Sequence, residues 1–316
     1  MKKNLQKVLV LALGLTTTIA SAQFSANSTS RINNQDSDNR TIENRIAISA
    51  DYGAVHVSAD VNDAAGYAIY EAYASTDLMG FATMTVGRQD LSFGSGALLS
   101  GNDWGLTRYT EDGISLAMNL GGFDVSIGSL GGVQYDVSNY MNASGNFGGA
   151  DVNILMLNDG DNSAHGYDLS YAMSNFTITA SMNSDYEGEE MTSYGLSYDV
   201  TDNLTANFGM TTYGEAVEGG NGGFDMANTA MSGGWANGMI GYLGSDDEMT
   251  TMGISYDLGD IQLSYSMYTV SNANADDSTD DREATSMGLS YQLNDDCSIS
   301  LNRFNDTDLE TSTDDG

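Results

Sequence analysis

Apolar and polar residues alternate along the chain with a period of two, in one segment after another. Residues 167–173 alternate large apolar residues with polar or small ones, and 176–183 repeat the alternation after Ser174 and Asn175. Successive side chains of a β-strand point to opposite faces, so each segment is predicted to be a strand with one apolar face. Because only two residues separate them, the two strands are predicted to form a β-hairpin.

Similar hairpins recur further along the chain. The segments 194–200, 252–258 and 287–293 share the sequence Gly-aliphatic-Ser-Tyr, and each is followed by a tight turn and a returning segment. Their tyrosines are 58 and then 35 residues apart. This irregular spacing argues against a solenoid or propeller with a fixed repeat, and favours hairpins separated by loops of different lengths.

Fourteen segments are predicted to be strands, and four weaker ones bring the count to at most eighteen. The fourteen are 42–52, 54–62, 67–76, 80–88, 106–120, 123–130, 165–173, 175–184, 190–200, 203–213, 249–258, 260–270, 284–293 and 296–304. The weaker segments are 23–32, 151–158, 224–231 and 236–243. We therefore expect an all-β fold, an antiparallel transmembrane β-barrel of about 16–18 strands, which is wide enough for an aqueous channel.

The composition of the polar face separates a membrane barrel from a soluble β-sandwich. The polar positions carry mainly Gly, Ser, Thr, Asn and Asp, whereas a sandwich usually exposes Lys, Glu, Arg and Thr. The apolar face is a band of Tyr, Leu, Ile and Met on strands of roughly nine to eleven residues, which is long enough for a tilted strand to cross a bilayer. We expect the apolar face to contact outer-membrane lipid and the polar face to line a water-filled lumen.

The first 22 residues have the three parts of a secretory signal peptide. Three lysines precede the apolar run 8–15, and the small residues Ala20-Ser21-Ala22 form the cleavage site. We therefore predict a signal peptide over 1–22, a barrel domain over 23–304, and an acidic tail or external loop over 305–316. The protein is expected to reach the outer membrane of a Gram-negative bacterium.

Removing the leader changes the charge, because it contains all three lysines. Seven arginines then face 44 acidic residues, which leaves a net charge of −37. Such a chain repels nucleic acid and other polyanions and attracts cations. The single cysteine, Cys297, excludes an internal disulfide.

The histidines do not form part of an enzyme signature. His56 and His165 are the two histidines of the chain, and neither lies near a nucleophile elbow such as Gly-x-Ser-x-Gly. We expect no catalytic residues, no enzymatic activity and no cofactor.

Residues 87–116 resemble the alginate-export-like outer-membrane barrels. The resemblance is carried by the runs 87–94 (GRQDLSFG) and 98–104 (LLSGNDW), by Arg108, and by 112–116 (DGISL). Over the rest of the chain the Gly-Leu-Ser-Tyr-Asp hairpins resemble Gram-negative porins in general. The resemblance implies a large barrel with an arginine-lined constriction that conducts an anionic polysaccharide.

Six residues are candidates for the pore lining. Arg88 and Arg108 match the family pattern, and alternation places Arg45 on the polar face, opposite its apolar neighbours in 46–50. The other candidates are His56, Asp199 and Asp257.

Several loops were considered as sites or constrictions. Asp276, Asp277, Asp280 and Asp281 could offer oxygen ligands to Ca²⁺, but the loop lacks the spacing and the bidentate glutamate of a calcium loop. A solvated external loop is favoured, and no metal site is expected. The glycine-rich segment 214–234 could fold inward to narrow the pore, as could 131–150 or 89–103, or it could be an outer loop.

The end of the chain suggests a missing strand. The last predicted strand runs away from the short-turn side and is followed by the acidic tail. Single-chain bacterial barrels have an even number of strands, with short periplasmic turns. We therefore expect the sequence to lack its closing C-terminal strand.

Three functions fit this pattern. The first is passive diffusion of small hydrophilic solutes or ions, with a preference for cations that follows from the net charge. The second is an alginate-export-like conduit for an anionic polysaccharide, carried by Arg45, Arg88 and Arg108. The third is a non-conducting surface or adhesion barrel. A homotrimer is expected by analogy with porins.

Overall fold

The computed structural model describes residues 23–34, 40–62, 66–101, 108–131, 137–217, 224, 226, 245–272, 282–294 and 297–306. Their regular secondary structure consists of 17 β-strands. The strands are β1 Gln23–Asn34, β2 Arg40–Tyr52, β3 Val55–Asn62, β4 Gly66–Leu78, β5 Ala82–Gln89, β6 Glu111–Leu120, β7 Phe123–Leu130, β8 Asn139–Phe147, β9 Ala150–Asp159, β10 Asn162–Met173, β11 Phe176–Ser184, β12 Glu190–Thr201, β13 Leu204–Tyr213, β14 Asp247–Asp257, β15 Ile261–Asn272, β16 Arg282–Asn294 and β17 Cys297–Asp306. The described part of the chain contains no helix long and apolar enough to cross a membrane.

Each strand pairs antiparallel with the next one in sequence, from β1 with β2 through to β16 with β17. The all-β, up-and-down barrel predicted from the sequence is confirmed, and its 17 strands lie within the expected number. Among the described residues no ladder joins β17 to β1. This open edge agrees with the expected lack of a closing strand.

All fourteen firmly predicted strands are present, and two of the weaker ones are β1 and β9. The largest boundary difference is at β6, which begins at Glu111, so that residues 108–110 are not in a strand. The strand β8 was not predicted. Of the remaining weak segments, 224–231 is described only at Phe224 and Met226, which are not in strands, and 236–243 lies outside the described residues.

The connections are short at one end of the barrel and mostly longer at the other. The short end has turns of two or three residues at 53–54, 79–81, 121–122, 148–149, 174–175, 202–203 and 258–260. At 148–149 both glycines have positive φ, 66° and 93°, which is the conformation of a type I′ hairpin turn. At the other end, the connections between β5 and β6, β7 and β8, β13 and β14, and β15 and β16 are each eight or more residues long.

Strand register keeps the apolar residues together on the outer face. Leu196 on β12 lies opposite Phe208 on β13 and Ile178 on β11, and all three side chains are exposed. An exposed apolar band over many strands is the surface that lipid covers in a membrane barrel. The neighbouring position Ser197 faces the other way, toward the lumen.

The inner face is apolar near the long-loop end, which corrects the expectation of a polar lumen throughout. On β9, Ile154 and Met156 face outward and are 38% and 43% exposed, whereas Leu155 and Leu157 face inward and are 3% and 0% exposed. The inward residues belong to a buried cluster that the 90–101 segment completes. Its members are Ala97, Leu98, Leu99, Leu130, Val137, Tyr140, Leu155, Leu157, Ala164, Met191, Tyr213, Phe224, Met226, Met249, Tyr268, Val270 and Ala284.

Candidate pore site

Residues 90–101, which follow β5, fold into the barrel. Residues Ala97, Leu98 and Leu99 are almost completely buried, although they belong to a loop. The ring of Phe93 packs against Tyr140 on β8, with the ring centroids 5.2 Å apart. Burial of three consecutive apolar residues holds the segment inside the barrel, because leaving it would expose them to water. We call residues 90–101 the inner loop.

The tip of the inner loop lies against β9, β10 and β11. Gly94 has a φ of +58°, and a Cβ atom at this position would overlap the carboxylate of Asp168. The hydroxyl of Ser95 is 3.1 Å from that of Ser181. Close approach of this kind needs a residue without a side chain. Of the three segments considered as constrictions, 89–103 folds inward in its described part, which ends at Gly101. The segment 131–150 contains β8, and 214–234 is described only in part, with Phe224 and Met226 buried in the cluster.

The carboxylate of Asp168 is the centre of a hydrogen-bond network on the inner face. Asn153 donates to its Oδ2 at 3.1 Å, and Ser181 donates to its Oδ1 at 2.7 Å. Asn142 donates to Asn153 at 2.6 Å, and Asn183 donates to Ser181 at 2.8 Å. These donors are neutral, and no ion pair to Asp168 occurs among the described residues. Among these contacts no cation offsets the carboxylate.

A cavity of about 710 Å³ lies between the inner loop and the wall formed by β8 to β12. Its lining consists of Ser92, Phe93, Gly94, Ser95, Asn142, Ser144, Gly145, Asn146, Asp151, Val152, Asn153, Asp168, Leu169, Ser170, Thr179, Ala180, Ser181 and Ser193. Hydroxyl and amide groups predominate, and the two charged groups are carboxylates. This is the part of the lumen where a hydrophilic solute can make contacts.

The opposite wall holds a buried ion cluster around Asp60 on β3. Arg108, just before β6, donates from Nε and from an Nη atom to the two oxygens of Asp60, both at 2.9 Å. Arg45 on β2 is 3.9 Å from the same carboxylate. The side chains of Asp60 and Arg108 are 5% and 13% exposed. A bidentate pair of this kind fixes the guanidinium in position and offsets its charge.

Tyr70 connects the ion cluster to the base of the inner loop. The guanidinium carbon of Arg108 lies 3.3 Å from the centre of the Tyr70 ring, a cation–π contact. The hydroxyl of Tyr70 donates to Asp90 at 2.7 Å, and the amide of Tyr109 donates to the carbonyl of Gly101 at 2.7 Å.

The structure brings together two of the three arginines proposed for the pore lining. Arg45 and Arg108 meet at Asp60, on the inner face. Arg88 instead shares the face of Met84 and Val86, because it lies an even number of residues from them along β5. It forms a bidentate pair with Asp112 on β6, at 2.8 and 3.0 Å, on the apolar side of the sheet. The physical reason is strand alternation, which separates Arg88 from the lumen.

The predicted candidate His56 lies on the inner face of β3, near the short-turn end. Its Nδ1 is 2.6 Å from Asp51 and its Nε2 is 3.2 Å from Glu71. The imidazole stacks on Tyr73, with the ring centroids 4.8 Å apart. The imidazole is therefore held between two carboxylates.

Asp199 and Asp257 lie on the polar face at the short-turn ends of β12 and β14. Asp199 accepts a hydrogen bond from Thr205 at 2.8 Å, and Asp257 accepts one from the amide of Gly259 at 2.7 Å. Both are exposed. They place two acidic groups at the short-turn end of the barrel.

Sequence reasoning did not single out the two carboxylates that organise the site, Asp60 and Asp168. Each is one of 44 acidic residues in the chain. The role of Asp60 depends on Arg108, 48 residues away, and the role of Asp168 depends on Ser181, 13 residues away. The pair Leu98-Leu99 in a polar loop was a signal of inward folding that could have been used. No group of three metal-ligating side chains occurs in the described part of the chain, and Asp276, Asp277, Asp280 and Asp281 lie outside it.

The sequence pattern of a known family, described as alginate export, matches residues 12–207. The chain belongs to the alginate export family. Membership of this family of outer-membrane barrels places the chain in the outer membrane. No protein in the curated set that was searched matches its sequence.

Solved structures of porins share the fold of this alginate export family member. OccK2 of Pseudomonas aeruginosa, solved in complex with glucuronate, superposes with a TM-score of 0.65 at 12% identity, over 90% of this chain and 92% of that one. OpdK of the same organism gives 0.65 at 14% identity, over 90% and 92%. A BenF-like porin from Pseudomonas fluorescens Pf-5 gives 0.61 at 12% identity, over 91% and 94%. At these identities the likeness shows the fold.

Proposed function

We propose that this chain forms a passive channel for small hydrophilic solutes or ions in the outer membrane, with a preference for cations. The observation that carries the proposal is the asymmetry of charge on the inner face. The positive groups Arg45 and Arg108 are paired at Asp60, whereas Asp168 is held by neutral donors. A fixed negative charge on the wall of a channel raises the local concentration of cations.

The mouth at the short-turn end supports the same preference. Asp199 and Asp257 are exposed on the polar face there. Among the described side chains, the arginines on the inner face are Arg45 and Arg108. Exposed carboxylates at a channel mouth attract cations and repel anions, with a strength that falls as salt is added.

A conduit for an anionic polysaccharide has less support. It would need free cationic groups along the lumen, as the family resemblance implies. Arg88 lies on the apolar face with Asp112, and Arg108 is occupied by Asp60 and Tyr70. A polyanion passing the inner loop would also meet the carboxylate of Asp168.

Single-channel recording in planar bilayers tests the proposal. We expect discrete conductance steps after insertion of the purified protein. Under a KCl gradient the reversal potential is expected on the potassium side of zero. The absence of steps would favour the non-conducting barrel, and a reversal potential on the chloride side would reject the cation preference.

A further inference from the structure

The cavity between the inner loop and β8–β12 has the chemistry of a binding site. A volume of about 710 Å³ falls in the range of about 300–1,000 Å³ that is usual for small-molecule pockets. The side chains that line it include seven serines and threonines and three asparagines, with one aromatic ring and two carboxylates. None of the lining residues is basic.

The polar groups of the cavity are arranged to accept hydrogen bonds. A hydroxyl has one proton to donate, and the contact of Ser181 with Asp168 is shorter than its contact with Ser95, at 2.7 against 3.1 Å. Ser181 thus donates to Asp168. An ionised carboxylate offers about four lone-pair sites, and Asn153 and Ser181 use two of those on Asp168. The carboxylate retains acceptor capacity for hydroxyl groups of a ligand.

Phe93 supplies an apolar surface on the opposite side of the cavity. The inner loop carries it, and its packing against Tyr140 on β8 fixes the ring in place. The aromatic ring of Phe93, together with the hydroxyl and amide groups of the cavity, is complementary to a molecule that has both C–H faces and hydroxyl groups.

We propose that this cavity is a binding subsite for an uncharged polyhydroxylated solute, such as a monosaccharide or disaccharide. The proposal rests on the proposed channel function and names a class of solute for it. Ligand hydroxyls donate to Asp168 and exchange hydrogen bonds with Asn153 and the lining serines, while a ring face packs on Phe93. An anionic sugar is disfavoured, because it places a like charge beside Asp151 and Asp168.

The test is the reduction of ion current by sugars in planar bilayers. Glucose is expected to reduce the current in a saturable manner, and glucuronate is expected to do so more weakly. Asp168→Asn keeps the shape of the side chain but removes the charge, and it is expected to raise the apparent dissociation constant of glucose about tenfold. Asp202→Asn makes the same charge change in an exposed turn and is expected to leave the glucose block unchanged.

A second variant adds a positive charge to the cavity. Ser170 lines the cavity on β10, so Ser170→Arg places a cation beside the solute path. We expect the preference to invert, with glucuronate blocking better than glucose. Single-channel conductance in the same records shows that each variant is folded and inserted.

The possible failures can be told apart. Conductance with equal or stronger block by glucuronate in the unaltered protein, or no effect of Asp168→Asn, would overturn the subsite and leave the channel standing. Absence of conductance would overturn the channel function. In that case titration calorimetry of the detergent-solubilised protein with glucose and glucuronate decides the subsite on its own, since heat of binding for glucose alone supports it and its absence rejects it.

Discussion

Arg108 donates two hydrogen bonds of 2.9 Å to the carboxylate of Asp60. The family resemblance would assign this guanidinium to an anionic cargo, but in the structure Asp60 occupies it. The pair is nearly buried, and Tyr70 covers the guanidinium from one face. The arginine of this wall thus positions the base of the inner loop through Tyr70. The cavity beside the inner loop is lined mainly by hydroxyls, amides and carboxylates.

Neutralising Asp60 should release positive charge into the lumen. In Asp60→Asn, both Arg45 and Arg108 lose their carboxylate partner in a buried setting, which typically costs about 3–5 kcal/mol of stability. The reversal potential under a KCl gradient should move toward chloride, and the thermal unfolding midpoint should fall. Asp202→Asn is the matched control, with the same charge change in an exposed turn. An unchanged reversal potential in Asp60→Asn would show that the ion cluster does not influence permeation.

The two arginines of the family motif should differ in their effect on selectivity. Arg108→Gln removes a cation from the inner face, so the reversal potential should move closer to the potassium equilibrium potential. Arg88→Gln alters a pair on the outer face and should leave the reversal potential where it was. Equal shifts of the reversal potential in the two variants would mean that the charge of Arg88 acts on ions in the lumen.

The contact of Gly94 with Asp168 can be tested with a pair of glycines that share one backbone conformation. Gly94 and Gly53 both have a φ of 58°, but a Cβ atom at Gly53 would meet no other atom within 4 Å. Gly94→Ala and Gly53→Ala therefore share the left-handed backbone penalty of about 1–2 kcal/mol. Only Gly94→Ala should push the inner loop from the wall, raising the single-channel conductance and its noise. Indistinguishable conductance in the two variants would speak against a constriction at this loop.

Adjacent residues near the middle of β12 test which face meets lipid. Leu196→Arg places a charge on the apolar face, and a cost of about 2–4 kcal/mol is expected near the centre of the bilayer. Ser197→Arg faces the lumen and should cost much less. The free energies of unfolding come from urea titration of the protein folded into lipid vesicles. Similar losses in both variants would contradict the assignment of faces.

Hairpin alternation was sufficient to predict most of the strands, because one face of each is almost continuously apolar. The strand β8 was missed, since its outward positions include Ala143 and Gly145, which give a weak apolar signal. The inner loop was one of three candidates, because its inward folding depends on contacts with β8, β10 and β11 that the sequence does not display.

Individual site residues were harder to predict than the strands. Alternation placed Arg45 on the polar face, where the structure has it. The same counting along β5 would have put Arg88 with Val86 on the apolar face, but the motif resemblance was given more weight. Asp60 and Asp168 could not be distinguished from other acids, because their roles arise from register and from a loop that returns across the barrel.

The reversal potential of the unaltered protein in a planar bilayer under a KCl gradient tests the central claim most directly. With Arg45 and Arg108 both paired at Asp60 and with neutral donors alone bound to Asp168, potassium should permeate better than chloride. The account predicts a reversal potential displaced toward the potassium equilibrium potential, and this displacement should shrink as the overall salt concentration rises. A reversal potential on the chloride side would contradict it.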